Sequence, residues 1–227
     1  MKTLKKGGII AISLIAAFIL WTVLVGIVDV QAIGPNGSKV GFATVNRFFY
    51  TLTGTSFWLY ILTDWLGLVP IAFMLIFAVV GLVQWISRKA IYKVDADILV
   101  LGGYYIIVFL VYMLFEYLII NYRPVLIEGY LEASYPSSTT MLVCCVMPTT
   151  IFQIKKWAKS ARAKRLVEVI ITCYIIFMVC GRFVSGVHWF SDIVGGLLFS
   201  AGIVTAYFCA CAFFNKRKNC KINAKKG

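Results

Sequence analysis

The sequence predicts an all-α integral membrane bundle of six helices, on three observations. Apolar residues make up 61% of the chain and mean hydropathy is +0.90, whereas a soluble domain is nearer half apolar. Runs long enough to cross a hydrocarbon core, on the order of 20 residues, recur along it. Charged residues amount to only 14% and fall in clumps between those runs. Backbone in lipid must satisfy its own polar groups, which helices do. The length suits one membrane domain, residues 1–227, without a second sizeable one.

The first run, GGIIAISLIAAFILWTVLVGIV (7–28), follows Lys2, Lys5 and Lys6. Val30-Gln31-Ala32 has small residues at a cleavage spacing, so residues 1–32 have the outline of a signal peptide. The run is about twice the usual signal core, which favours an anchor. IGPNGSK is a turn-rich connection. The second run covers about 57–86; Asp64 interrupts it, so the span is expected to start near Trp65. After the loop SRKAIYKVDAD, the third run covers about 98–120. It is expected to end at NYRP, because the residue before proline avoids helix. Val125 to Pro136 reads as a loop. The fourth run starts at Ser137 and ends near Ile154, and KKWAKSARAKR is a basic linker. The fifth run covers about 166–181, the sixth about 191–214, and a basic tail follows.

A net charge of +13 could suggest nucleic acid. The basic residues instead occupy short loops, where the positive-inside rule puts them. Assigning the N-terminus, the 87–96 loop, the 155–165 loop and the tail to one side gives it 18 Lys and Arg, against 4 on the other. Both termini are therefore expected in the cytoplasm, and a nucleic-acid partner is not expected. Six of the seven cysteines lie within apolar runs and Cys220 in the tail, without a CxxC pair. Buried free thiols are expected.

Three polar clusters share the outer face of this topology: NYRP, YPSSTT and GRFVSGVHWFSD. Polar groups at membrane depth are costly and mark function. His188 is the sole histidine, and Asp192 lies one turn away if the last span begins near Val187. The carboxylate could then accept from Nδ1–H, leaving Nε2 as a base or nucleophile of fixed tautomer. Ser137, Ser138 and Thr139 sit at a helix start, where free N–H groups and the dipole favour an anion. Arg123 and Arg182 offer donor forks suited to phosphate. Each cluster alone has an ordinary reading: a headgroup-level histidine, an N-cap, an anchoring arginine. Together they describe a phosphate site with a histidine nucleophile. No cluster of Asp, Glu and His offers a metal shell, so neither metal nor cofactor is expected.

These segments resemble the type 2 phosphatidic acid phosphatase superfamily, which also includes the vanadium haloperoxidases. Its pattern is Lys-x6-Arg-Pro, then Pro-Ser-Gly-His, then Ser-Arg-x5-His-x3-Asp. The chain offers EYLIINYRP (116–124), PSST (136–139) and GRFVSGVHWFSD (181–192), and the similarity covers about residues 56–214. It implies that His188 forms a phosphohistidine, that Asp192 orients it, and that Arg123, Arg182, Ser137 and nearby backbone hold the phosphoryl oxygens. Ser138 stands where the pattern has glycine. Two departures weigh more. Glu116 replaces a phosphate-binding lysine and is expected to pair with Arg123. Thr139 replaces the histidine that protonates the leaving group. A missing acid costs about 100- to 10,000-fold, least for a weakly basic leaving group such as a lipid monophosphate.

The expected protein is thus a multi-pass phosphatase of the cell membrane, such as a bacterial plasma membrane, with its site outside. Its substrate would be a polyprenyl diphosphate or a phospholipid phosphate, and no obligate protein partner is evident. One alternative is a non-catalytic relative that binds lipid phosphate or a partner. A channel or transporter is disfavoured because the spans are mostly apolar.

Overall fold

The computed structural model describes residues 2–223, with side chains over 4–216. Among them are eight α-helices and no extended strand. Helix α1 (Lys2–Ile27) is apolar on all sides, as a lipid-facing span is. It packs along α8 (Phe190–Asn223), where Phe18 meets Phe199.

A tight loop follows α1, closed by an antiparallel bridge between Gln31 and Val40. It leads into α2 (Ala43–Thr53), a short amphipathic helix. Phe49 on α2 stacks on Phe190, while Val45, Phe48 and Leu52 face outward.

Helices α3 (Phe57–Leu66) and α4 (Leu68–Arg88) occupy the second run. At 1.5 Å per residue their 32 residues would extend about 48 Å, beyond a core of about 30 Å. The path breaks at Gly67. Helix therefore begins at Phe57, capped by Ser56, and not near Trp65 as the position of Asp64 suggested. Asp64 is tolerated because it lies at the exposed end of α3 with Arg182 as partner.

Helix α5 (Ala96–Tyr117) ends before NYRP is reached. Its early end has a local cause. Tyr122 bridges to Ala133, and Arg123 N–H donates to the Glu132 carbonyl at 3.0 Å, so NYRP belongs to a hairpin-like loop. Helices α6 (Ser138–Trp157) and α7 (Ala161–Val184) complete the set.

Five stretches are long and apolar enough to span: Leu4–Ile27, Phe57–Arg88, Ala96–Tyr117, Ala161–Val184 and Phe190–Lys216. The sixth expected span, α6, is the exception by composition. It carries Thr149, Thr150 and Gln153, all fully buried. Neighbouring helices supply their partners: Tyr105 of α5 bonds Thr149, and Gln153 donates to Tyr207 of α8. Packed against α4, α5, α7 and α8, α6 is shielded from lipid, so interhelical hydrogen bonds replace apolarity.

The two ends of the bundle differ. Lys155, Lys156, Arg88 and Lys93 gather at one end, where Lys156 pairs with Asp97 and Arg88 with Asp95. Of the tail's basic residues only Lys216 has a described side chain. The other end carries the 118–137 loop and the α7–α8 turn. The cysteines with described side chains are free: Cys145 and Cys211 are buried, but Cys173 and Cys180 lie exposed on α7, contrary to expectation. Cys220 falls outside those residues.

Candidate active site

The α7–α8 turn brings Arg182 and His188 together. Gly186 has φ +67°, and a Cβ there would come within 1.8 Å of the Gly54 carbonyl oxygen, so only glycine allows this turn against the α2–α3 connection. Arg182 and His188 are both nearly inaccessible to solvent. Arg182 Nη2 lies 3.1 Å from His188 Nε2. A guanidinium only donates, so Nε2 accepts and Nδ1 carries the proton.

Nδ1 does not meet Asp192 directly. The Nδ1–Oδ2 distance is 3.9 Å, too long for a hydrogen bond. Helix α8 starts at Phe190 rather than Val187, so residues 188–192 do not form one regular helical turn. Ser134 fills the gap: its Oγ lies 3.1 Å from Nδ1 and donates to Asp192 Oδ2 at 2.5 Å, while its carbonyl is 3.2 Å from Nδ1. Ser134 comes from the 118–137 loop, and no spacing rule in the sequence singles it out.

Asp192 is fully buried yet well supplied. Oδ2 also accepts from the Trp189 backbone N–H at 2.9 Å, half of a capping-box arrangement at the start of α8. Oδ1 accepts from Asn121 Nδ2 at 3.2 Å and Ser191 Oγ at 3.3 Å. Burial first, then the charges of Arg123 and Arg182, hold the His188 imidazole well below its usual range. The ring is therefore neutral at physiological pH, and its contact with Asp192 is not an ion pair.

Both arginines reach the site. Arg182 lies 5.0 Å and Arg123 5.9 Å from the ring centre of Tyr60 on α3, so one aromatic ring serves both guanidinium groups. Tyr60 carries no sequence signal, being one aromatic in an apolar run. Arg123 is paired with Glu132, Nε to Oε2 3.1 Å, and not with Glu116 as expected. The hairpin register explains this, since Arg123 and Glu132 face each other across it. That pairing is close in distance but lacks hydrogen-bond direction. Arg123 Nε and Nη1 and Arg182 Nε are thus buried donors without an acceptor.

The remaining expected residues divide. Glu116 and Ser138 line a small cavity with His188, Ser134, Tyr112 and Tyr135; at about 10 Å³ it is water-sized. Ser137 is fully buried and turned away, its hydroxyl donating to Thr140 and its N–H to the Asp192 carbonyl. Thr139 does not line the His188 cavity. It lines an apolar groove of about 490 Å³ between α4, α5 and α6, which shares Tyr112, Ser138 and Met141 with that cavity.

Two comparisons bear on this arrangement. A family model described as the PAP2 superfamily matches residues 117–218. The fold is similar to the crystal structure of a transmembrane PAP2 type phosphatidylglycerolphosphate phosphatase from Bacillus subtilis. That likeness has a TM-score of 0.60 at 21% identity and covers 91% of this chain and 96% of the other. No curated protein matches the chain. The chain is a multi-pass membrane protein with the fold of a membrane phosphatase. The segment 117–218, a little under half of the chain, is similar to the PAP2 superfamily.

Proposed function

We propose that the protein is a lipid phosphate or diphosphate phosphatase that works through a phosphohistidine on His188, at the outer membrane face. The observation that carries this reading is the set of buried guanidinium donors without acceptors beside a neutral imidazole. Unpaired buried donors are costly, and a phosphoryl group would satisfy them. Arg123, Arg182 and backbone around Ser138 hold its oxygens, and the charge that grows on them in transit is met by the same fixed donors.

In the first step Nε2 attacks phosphorus. The P–N bond forms as the bond to the leaving oxygen breaks, and Nδ1–H keeps its proton toward Ser134 and Asp192. Water then attacks phosphorus, the P–N bond breaks, and inorganic phosphate leaves. The sum is one ester or anhydride bond exchanged for one water. Thr139 faces the apolar groove and supplies no acid, so a polyprenyl diphosphate, which releases a weakly basic lipid monophosphate, suits the site better than phosphatidic acid. The groove that shares Tyr112, Ser138 and Met141 with the His188 cavity supports a lipid rather than a soluble phosphate. The 18-to-4 split of basic residues supports an outward site.

A second reading, a non-catalytic binder of lipid phosphate, is favoured by Glu116 beside the cavity and by the missing acid. One experiment separates them. Phosphate release is followed for purified wild type and His188→Ala on a panel of lipid mono- and diphosphates. Release by wild type that His188→Ala abolishes supports the phosphatase. Lipid phosphate bound without release supports the binder, and release that survives His188→Ala defeats the mechanism.

A further inference from the structure

Asp192 is braced by residues far outside the family-matched segment 117–218. Asn46, on α2, is fully buried, and with Ala43 it is one of only two buried residues of that helix. Both of its side-chain polar atoms are engaged. Nδ2 donates to the Gly41 carbonyl at 2.7 Å and to Ser191 Oγ at 2.9 Å, and Oδ1 accepts from the Ser191 N–H at 3.0 Å. Ser191 Oγ also receives Asn121 Nδ2 at 3.4 Å. A hydroxyl has two lone pairs and one proton. With both lone pairs facing amide donors, the proton must point elsewhere, and Asp192 Oδ1 is 3.3 Å away.

The same segment grips the other donor to Oδ1. The Gly41 N–H donates to Asn121 Oδ1 at 3.1 Å, which turns the Asn121 amide protons toward Ser191 and Asp192. A Cβ at Gly41 would come within 1.6 Å of the Val25 carbonyl oxygen, so the backbone passes α1 at a distance only glycine permits. Phe49 stacked on Phe190 seats α2 on the start of α8.

We infer that Asn46 is a positioning residue for the reaction proposed above: its amide forces the Ser191 hydroxyl proton onto Asp192 and thereby fixes the carboxylate that, through Ser134, serves His188. The inference rests on the phosphatase reading for its consequence in turnover, but not for its geometry. Asn46 touches neither substrate nor imidazole. Its role is the direction of one hydrogen bond.

The test uses Asn46→Asp, which keeps shape and the acceptor for Ser191 N–H but loses the donor. The ionised carboxylate then draws the Ser191 proton away from Asp192. His188 is the only histidine, so the full chain labelled with 15N-histidine gives one imidazole to follow, with or without turnover. The groups facing that imidazole are Arg182 from α7, Arg123 and Ser134 from the loop, Asp192 from α8 and, across the small cavity, Tyr112 and Glu116 from α5. Tyr135 faces Asp192 in turn.

Wild type should show the Nδ1–H tautomer. Asn46→Asp should raise the imidazole titration, because Asp192 loses a donor and a carboxylate is added. Ser191→Ala, which removes one oxygen, should raise it too. In the Ser191→Ala background the effect of Asn46→Asp should fall by at least about half, as for residues acting as a unit. On a polyprenyl diphosphate, Asn46→Asp should lower kcat about 10-fold with KM within about twofold, as for a group acting in the transition state. Wild-type titrations in both single variants, or an Asn46→Asp shift just as large without the Ser191 hydroxyl, would overturn the inference. The tautomer and shifts without any phosphate release would instead refute the phosphatase reading and leave the brace intact.

Discussion

Ser134→Ala is the sharpest perturbation of the site, because it deletes one oxygen from the bridge between His188 and Asp192. In wild type that oxygen accepts from Nδ1–H at 3.1 Å and donates to Oδ2 at 2.5 Å. The residue is almost fully buried, so water has little room to take its place. Asp192 keeps three donors, from Trp189, Asn121 and Ser191, and should stay in position. His188 keeps the Ser134 carbonyl at 3.2 Å and should retain its tautomer. What is lost is the path by which the carboxylate stabilises positive charge arising on the ring as Nε2 bonds to phosphorus. A hydrogen bond to a charged group contributes about 1.5–3 kcal/mol. At about 1.4 kcal/mol per factor of ten, kcat should fall by about 10- to 150-fold. KM should change little, since Arg123 and Arg182, the proposed phosphate ligands, are untouched. Ser134→Thr, which restores the hydroxyl, should recover most of the loss. The assay is initial phosphate release from a polyprenyl diphosphate in detergent, with thermal unfolding as the control for folding. Wild-type kcat in a folded Ser134→Ala protein would refute the bridge and imply that the carbonyl alone orients the ring.

Three further outcomes are expected. Because burial and two arginines hold the His188 imidazole well below its usual range, the nucleophile stays neutral as pH falls through about 6.5, the unperturbed value; wild-type kcat/KM should lack an acid limb there, and Arg182→Gln, which removes one of those charges, should move the limb upward in a pH–rate profile. A cysteine placed at the exposed Glu128 should react with an impermeant thiol reagent on intact cells, and labelling only after lysis would reverse the topology. Thr139→His should raise turnover of phosphatidic acid more than that of a polyprenyl diphosphate, by up to about 100-fold, and equal gains would reject the leaving-group argument.

Most of the fold is legible in hydropathy, because lipid imposes one rule on every span. The exceptions are local. The start at Phe57 is missed because Asp64 reads as a boundary when its charge is in fact met by an arginine 118 positions away in sequence. The early end of α5 is missed because the Arg123–Glu132 pairing belongs to loop register, which hydropathy does not carry. For the site, GRFVSGVHWFSD points to Arg182, His188 and Asp192, and these do converge. The pairing of Glu116 with Arg123 fails for the same register reason. Ser134, Tyr60 and Asn46 escape notice because a serine, a tyrosine and an asparagine have no spacing signature; only the folded chain brings them to the site or to the residues that support it.

The contact between Arg182 Nη2 and His188 Nε2 has a consequence for reactivity. On the proposed mechanism, the lone pair needed for attack is engaged by the very group that would bind the phosphoryl oxygens. In the resting site the imidazole is therefore masked toward passing electrophiles. An incoming phosphoryl group would compete for the guanidinium and strip it from the ring as it docked. On that mechanism the nucleophile would be exposed by its own target, and selectivity for phosphorus would be exercised before any bond is made. An uncharged ester that reached the same cavity would lack the anionic oxygens to unlatch it.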